Sequence, residues 1–333
     1  MSGNEWDEAL IKAADRQDTA ALRQALENNA DINTKTADGF TPVIIAAFRN
    51  HFEILDILVE KGAELNHMTA RGSSALSLAL YHMPHSADAQ KCLDRLLEAG
   101  ADPSCDSSLE IAADKGMTAY VERFIAAGAD ANKGIPLIPA AIGGHTDILR
   151  ILIAADADVN AKRANGETAL SYAVMNGRAD CAKLLIAAGA NIHVKNNENE
   201  TILHRAVHGG RNFQNFEADF FDGIDKNAQN NRGLTALMEA AHRGHEDIVV
   251  SLLEAGAKTD ITSNSGQTAL SLAQQANHEH CIRRLIAAGA DTALLSDDNK
   301  EKFAKDISAY QYKIQQDARR KQQQALRRFI RKK

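Results

Sequence analysis

No stretch of this 333-residue sequence approaches the roughly 18–20 consecutive apolar residues of a membrane-spanning helix. The opening MSGNEWDEALIKAADR lacks the apolar run of a secretory signal. The expectation is a cytoplasmic protein, with nuclear residence or, for a bacterial source, export into a host cell left open. Aromatic residues make up only 5%, so a core of Ala, Leu and Ile is expected, as close helix stacking prefers. Cysteine is scarce too, at four residues. Cys92, Cys181 and Cys281 each stand eight residues before a glycine (Gly100, Gly189, Gly289), in a slot that Ile248 fills elsewhere. They read as buried small hydrophobes too far apart to pair. Cys105 is the one expected to be accessible, and neither a disulfide framework nor a zinc site is supported.

Catalytic signatures are missing as well. There is no phosphate-cradling glycine loop after a strand and no nucleophile elbow. His204 and His208 stand four apart on an expected helix, the spacing of a metal pair. His278 and His280 flank a helix start with no third ligand at useful spacing. His145 and His245 follow glycines in turns and read as structural. No enzyme, no catalytic residue, no cofactor and no metal are therefore expected. The net charge of −6 exerts no overall pull toward nucleic acid.

What the sequence does contain is a period. A small-residue stop signal recurs with its alanine at 30, 63, 101, 129, 157, 190, 257 and 290, and a blurred copy at Gly223-Ile224-Asp225 divides the longest gap. The steps centre near 33 residues, the mark of a repeat architecture. One unit can be read from Thr168 to Gly189. Thr168 suits an N-cap, and Leu170, Ala173 and Val174 share one helical face. Asn176-Gly177 ends that helix. A second helix places Cys181, Leu184 and Leu185 together and stops at Gly189. Two such helices cannot bury their apolar faces alone, so copies must stack.

These phrases resemble the ankyrin repeat. The resemblance is carried by Thr41-Pro42-Val43-Ile44-Ile45-Ala46-Ala47, Thr201-Ile202-Leu203-His204-Arg205-Ala206 and Gly244-His245-Glu246-Asp247-Ile248-Val249, and by Leu252-Leu253-Glu254-Ala255-Gly256-Ala257 and Asp158-Val159-Asn160-Ala161. It implies an all-α solenoid of about nine helix-turn-helix units with β-turn fingers over residues 1–291. It also implies that His204 hydrogen-bonds a neighbouring loop. Partners are then expected on the concave surface of finger tips and first helices. The slots that match are Phe40, Phe48 and Arg49, Met68, Arg71, Tyr81 and His82, and Asp114 and Lys115. Asn165, Glu167 and Met175 follow, then Asn197 and His208, and Arg232, His242 and Arg243 complete the row. The expected function is a non-catalytic adaptor binding one or more proteins. A translocated ankyrin-repeat effector of an intracellular bacterium, binding a host protein, is the alternative the sequence cannot separate from it.

Several stretches depart from the period. The first unit, 5–34, lacks the leading turn and has the charged face of a terminal cap, with Trp6 in its packing. About five extra residues around 82–86 lengthen the loop between the two helices of the third unit. The connections near 103–106 and 131–134 are too short for a finger, which leaves either a harmless deletion or a groove for a partner. In the atypical repeat 199–231, the second helix expected between Gly210 and Gly223 carries Phe213, Phe216, Phe220 and Phe221. That cluster is either core or an exposed patch ringed by acids.

Residues 292–302 read as a linker and 303–333 as a basic amphipathic helix. Phe303, Ile307, Tyr310 and Ile314 form a stripe suited to packing on the last repeat. Residues 292–333 hold 12 Lys/Arg and 5 Asp/Glu. Among them Arg319, Arg320, Lys321, Arg327, Arg328, Phe329 and Arg331 belong to a run without any acid. Three readings of this tail stay open: a solvated terminus, a nuclear-import or nucleic-acid patch, and an amphipathic anchor on an anionic membrane, the last two making the chain a scaffold; docking on the acidic repeats, of its own chain or of a second one, is a further option.

Overall fold

The structure, a computed structural model, describes residues 3–309 apart from 82, 84, 85, 211–215, 217–219 and 221, and beyond 309 only Tyr312 and Gln316. All regular elements among the described residues are helices. The chain divides into two units, residues 1–161 and 162–333.

The first unit holds five helical hairpins: α1 (Gly3–Arg16) with α2 (Thr19–Glu27), α3 (Pro42–Arg49) with α4 (Phe52–Glu60), α5 (Ala75–Tyr81) with α6 (Ala87–Glu98), α7 (Ser108–Asp114) with α8 (Thr118–Ala126), and α9 (Leu137–Gly143) with α10 (Thr146–Ala154). First helices pack on first helices, α1 through α9 in turn, and α2 on α4 and α4 on α6 do the same along the second row. In the second unit α11 (Ala169–Met175) pairs with α12 (Ala179–Ala187). α13 (Ile202–Gly209) follows, then α14 (Ala236–Arg243) with α15 (Glu246–Glu254) and α16 (Ala269–Gln275) with α17 (Glu279–Ala287). Again α11, α13, α14 and α16 form one packed row.

The local chemistry explains the hairpin. Thr168 is the N-cap of α11 in a reciprocal box with Ser171, and Thr268 and Ser271 repeat it on α16. Each satisfies amides that the first helical turn leaves without partners. Leu170, Ala173 and Val174 are buried, as are Cys181 and Leu185 on α12. A fully buried Leu or Ile contributes about 1.5–3 kcal/mol, so the stacked rows carry most of the stability. Cys92, Cys181 and Cys281 are buried free thiols, while Cys105 is half-buried. Burial pushes the Cys92 thiol up to about 12 and Cys281 up to about 11.

Fingers join the repeats. In each, a residue's amide bonds the carbonyl four residues on, as in Thr36 to Phe40, Thr69 to Ser73, Arg163 to Glu167, Asn196 to Glu200, Asn230 to Leu234 and Ser263 to Gln267. Successive fingers are tied by one backbone bond, for instance Ala70 N–H to Asp38 O at 3.0 Å and Asn264 N–H to Arg232 O at 3.1 Å. Gly233 shows why a glycine sits at the tip. Its φ is +72°, and a Cβ there would lie 2.6 Å from the backbone nitrogen of Asn264. The connections before α7 and α9 contain simple turns in place of this pattern. There Asp106 accepts from Ser74 N–H and Ser108 N–H at 2.9 Å each, and Lys133 Nζ donates to the Cys105 carbonyl at 3.0 Å.

One expectation changes at the C-terminal side. Residues 292–302 are not a plain linker: a 3-10 turn (Thr292–Leu294) leads into α18 (Asp297–Lys302). Phe303 is fully buried beneath the Arg283 guanidinium, 5.1 Å from its ring centroid. Ion pairs Arg283–Asp306 and Lys302–Glu279 fasten the segment to α17. The tail residues Arg319, Arg320, Lys321, Arg327, Arg328, Phe329 and Arg331, and His82, lie outside the described residues. The second helix expected between Gly210 and Gly223 lies largely outside them as well, with Phe213 and Phe221. Of that phenylalanine cluster, Phe216 is buried and Phe220 half-buried, their rings 4.5 Å apart.

Candidate functional site: the finger and first-helix face

In the first unit an aromatic and cationic strip follows from the repeat geometry. The residue before Thr41 and the last turn of α3 bring Phe40 and Phe48 edge to face, with centroids 6.4 Å apart. Phe48 is 36% exposed, Met68 44% and Tyr81 66%. Arg49 stands over the Phe48 ring and Lys115 over Tyr81, each at 5.8 Å, a cation–π distance. Arg49 also pairs with Asp15 at 2.9 Å, and Lys115 Nζ donates to the Tyr81 and Met83 carbonyls. Arg71 and Asp114 are exposed. Phe40 is half-buried and acts as backing for Phe48.

The second unit holds something the sequence reading missed. Glu167, Glu200 and Glu239, from three successive repeats, are all buried. Arg205 on α13 joins two of them. Its Nε approaches Glu167 Oε1 at 3.1 Å as an ion pair without hydrogen-bond geometry, and its Nη1 lies 3.3 Å from Glu200 Oε2. Asn196 donates to both carboxylates, at 2.6 and 2.9 Å. Arg232 and Asn230 reach Glu239 Oε1 at 3.2 and 3.0 Å. Glu167, Met175 and His208, expected as exposed contact positions, are therefore parts of this network: Met175 Sδ accepts from Arg205 at 2.7 Å. Burial pushes Glu239 up, but the bond from His208 and the nearby His204 and Arg232 outweigh it, so its carboxyl stays below the usual range.

Glu200, His208 and Glu239 bring three candidate metal-ligand atoms within 4.8 Å. The hydrogen-bond chemistry assigns them another role. A guanidinium can only donate, so the 3.0 Å contact from Arg205 Nη1 makes His208 Nδ1 the acceptor. The ring proton is then on Nε2, aimed at Glu239 Oε2 at 2.9 Å. That leaves no imidazole lone pair for a cation, and Arg205 and Arg232 already balance carboxylates. His204 does what its slot implies: Nδ1 accepts from Thr201 N–H at 3.2 Å, and Nε2 faces the Leu234 carbonyl at 3.0 Å. Burial lowers its pKa, consistent with a neutral ring.

Beside this network, between α14 and α16, lies an open groove of about 840 Å³. Arg232, His242 and Arg243, all expected contact positions, line it with His245 and His278. Leu234, Met238 and Leu272 supply apolar lining. Glu239 is the one acid there, and it is held by Arg232. The signal that could have revealed the network was present. Glu167 and Glu200 occupy the same slot, directly before a capping threonine, 33 residues apart.

Comparison with known proteins agrees with this geometry. A family profile described as "Ankyrin repeats (3 copies)" matches residues 10–107, 109–196, 155–217 and 203–295. The chain belongs to the ankyrin-repeat family, whose fold is a generic protein–protein interaction module. It is 36% identical over 95 residues to an ankyrin repeat protein of Rickettsia bellii (strain RML369-C), covering 26% of this chain and 56% of the relative. It is also 31% identical over 115 residues to the ankyrin repeat and KH domain-containing protein mask-1 of Caenorhabditis elegans, covering 34% of this chain and 4% of that one. The chain thus matches about half of the first relative's length and a small part of the second's. No helix among the described residues is long and apolar enough to cross a membrane.

Proposed function

We propose that this protein is a non-catalytic adaptor that grips a protein partner on the fingers and first helices of its second and third repeats. The observation that supports it is the exposure of Phe48, Met68 and Tyr81 on that strip, where a solvated surface favours polar groups. Aromatic anchors with adjacent Arg or Lys are the composition of interface hot spots. A stacked array holds them in place before binding, so little ordering entropy is lost on association.

The test is affinity capture from the source cell with the intact chain and with a Phe48→Ala/Tyr81→Ala variant. Hot-spot truncations of this kind cost about 2 kcal/mol or more each, so recovery of the captured partner should fall by roughly tenfold or more. Unchanged recovery would move the contact away from these repeats.

A further inference from the structure

The groove between α14 and α16 has a chemistry of its own. Arg243 and His242 are exposed on its rim. Among the described residues no carboxylate lies within ion-pair distance of Arg243, whereas Arg232 is oriented across the lining by its bond to Glu239. His245 and His278 complete that side of the lining, the His278 ring lying against Gly244. Half-buried Leu234, with Met238 and Leu272 behind it, adds an apolar floor. The volume of about 840 Å³ is enough for a few side chains.

We propose that this groove binds a short acidic segment of a protein, setting an apolar side chain against Leu234 and Met238 with flanking carboxylates on Arg232 and Arg243. The proposal rests on the reading of the chain as an interaction module but concerns a separate stretch of it. Charge complementarity selects the occupant: two guanidiniums meet one acid, which is already paired. Nucleic acid fits less well. No phenylalanine, tyrosine or tryptophan lines the groove for a base to stack on. An apolar floor gives a phosphate backbone nothing to bind.

The probe is a short fluorescein-labelled peptide of alternating glutamate and leucine, titrated with the full-length protein at low salt and followed by anisotropy. A glutamine–leucine peptide and an oligothymidylate serve as comparisons. Reversing the rim charge with Arg243→Glu should weaken the glutamate–leucine peptide by about tenfold or more, and Arg243→Gln by less. Both variants should keep the wild-type circular dichroism and melting temperature, because Arg243 is exposed and unpaired among the described residues. The basic residues after 303 are identical in all these proteins, so any contribution from them cancels in the ratio. The Phe48→Ala/Tyr81→Ala variant should bind the peptide as wild type does.

Equal affinity of the peptide for wild type and Arg243→Glu would overturn the proposal. So would glutamine–leucine binding as tight as glutamate–leucine, or oligothymidylate binding in its place and lost with Arg243→Glu. If the peptide result fails while partner capture still depends on Phe48 and Tyr81, this inference falls and the adaptor reading stands.

Discussion

Replacing Arg205 by Ala is expected to destabilise the second unit by about 3 kcal/mol or more, the cost of leaving a buried charge without its partner. Two carboxylates would be stranded at once, because Arg205 faces both Glu167 and Glu200, whose side chains are only 3% and 8% exposed. Asn196 donates to each of them and limits the loss. With a urea slope of about 1–3 kcal/mol per molar, the corresponding unfolding midpoint should drop by roughly 1–3 M. The same measurement separates charge from packing. Arg205→Met preserves most of the volume beside Met175 yet should destabilise nearly as much. Adding Glu167→Gln to Arg205→Met should recover part of the loss, since a buried neutral amide with a hydrogen-bond partner costs far less than a carboxylate. A near-wild-type Arg205→Met would mean that Arg205 acts chiefly through its aliphatic stem, and absence of recovery would mean that the stranded Glu167 charge is not the source of the loss.

The second large effect is expected at Phe303. Its ring is fully buried under Arg283 although α18 itself buries no residue. This one aromatic side chain is the buried anchor directly after α18, with Leu295 buried ahead of the helix. Truncating a buried Phe to Ala costs about 3–5 kcal/mol. The ion pairs Arg283–Asp306 and Lys302–Glu279 are solvent-accessible and screened by water, so they contribute too little to compensate. In Phe303→Ala, amide exchange protection over 297–309 should fall to that of a detached segment, while α14 and α15 keep theirs. Persistent protection over 297–309 would show that the segment is held by contacts other than this ring.

The two sites differ in how much of them the sequence disclosed. Period, caps and finger tips follow from local chemistry: Thr168 and Thr268 before apolar helical runs, Gly233 where φ must be positive. Such features are written within a few neighbouring residues, so they were legible. Cys92, Cys181 and Cys281 were legible as core for the same reason, as copies of one slot. The Glu167–Arg205–Glu200 network was not. Each glutamate looks like an ordinary exposed finger residue, yet Arg205 pairs with Glu167 from the next repeat and with Glu200 from the same one. Burial of a charge is decided by pairing across repeats, not by hydrophobic period. α18 was read as linker because its sequence, DDNKEK, is wholly polar. What fixes it is the adjacent Phe303 and the charged partners Arg283 and Glu279 of α17, none of which a pattern within 292–302 can show. The exposure of Phe48, Met68 and Tyr81 did follow from their slots, because finger and first-helix positions face away from the stack.

The central claim is that neighbouring repeats hold one another folded and leave the finger and first-helix face to receive a partner. Amide hydrogen exchange of the full chain, alone and with its captured partner, tests this most directly. Added protection over residues 36–49 and 69–81, with α4 and α6 unchanged, is the predicted result. Protection confined to the second helices α4 and α6, with the Phe40–Tyr81 strip exchanging as in the free chain, would contradict it.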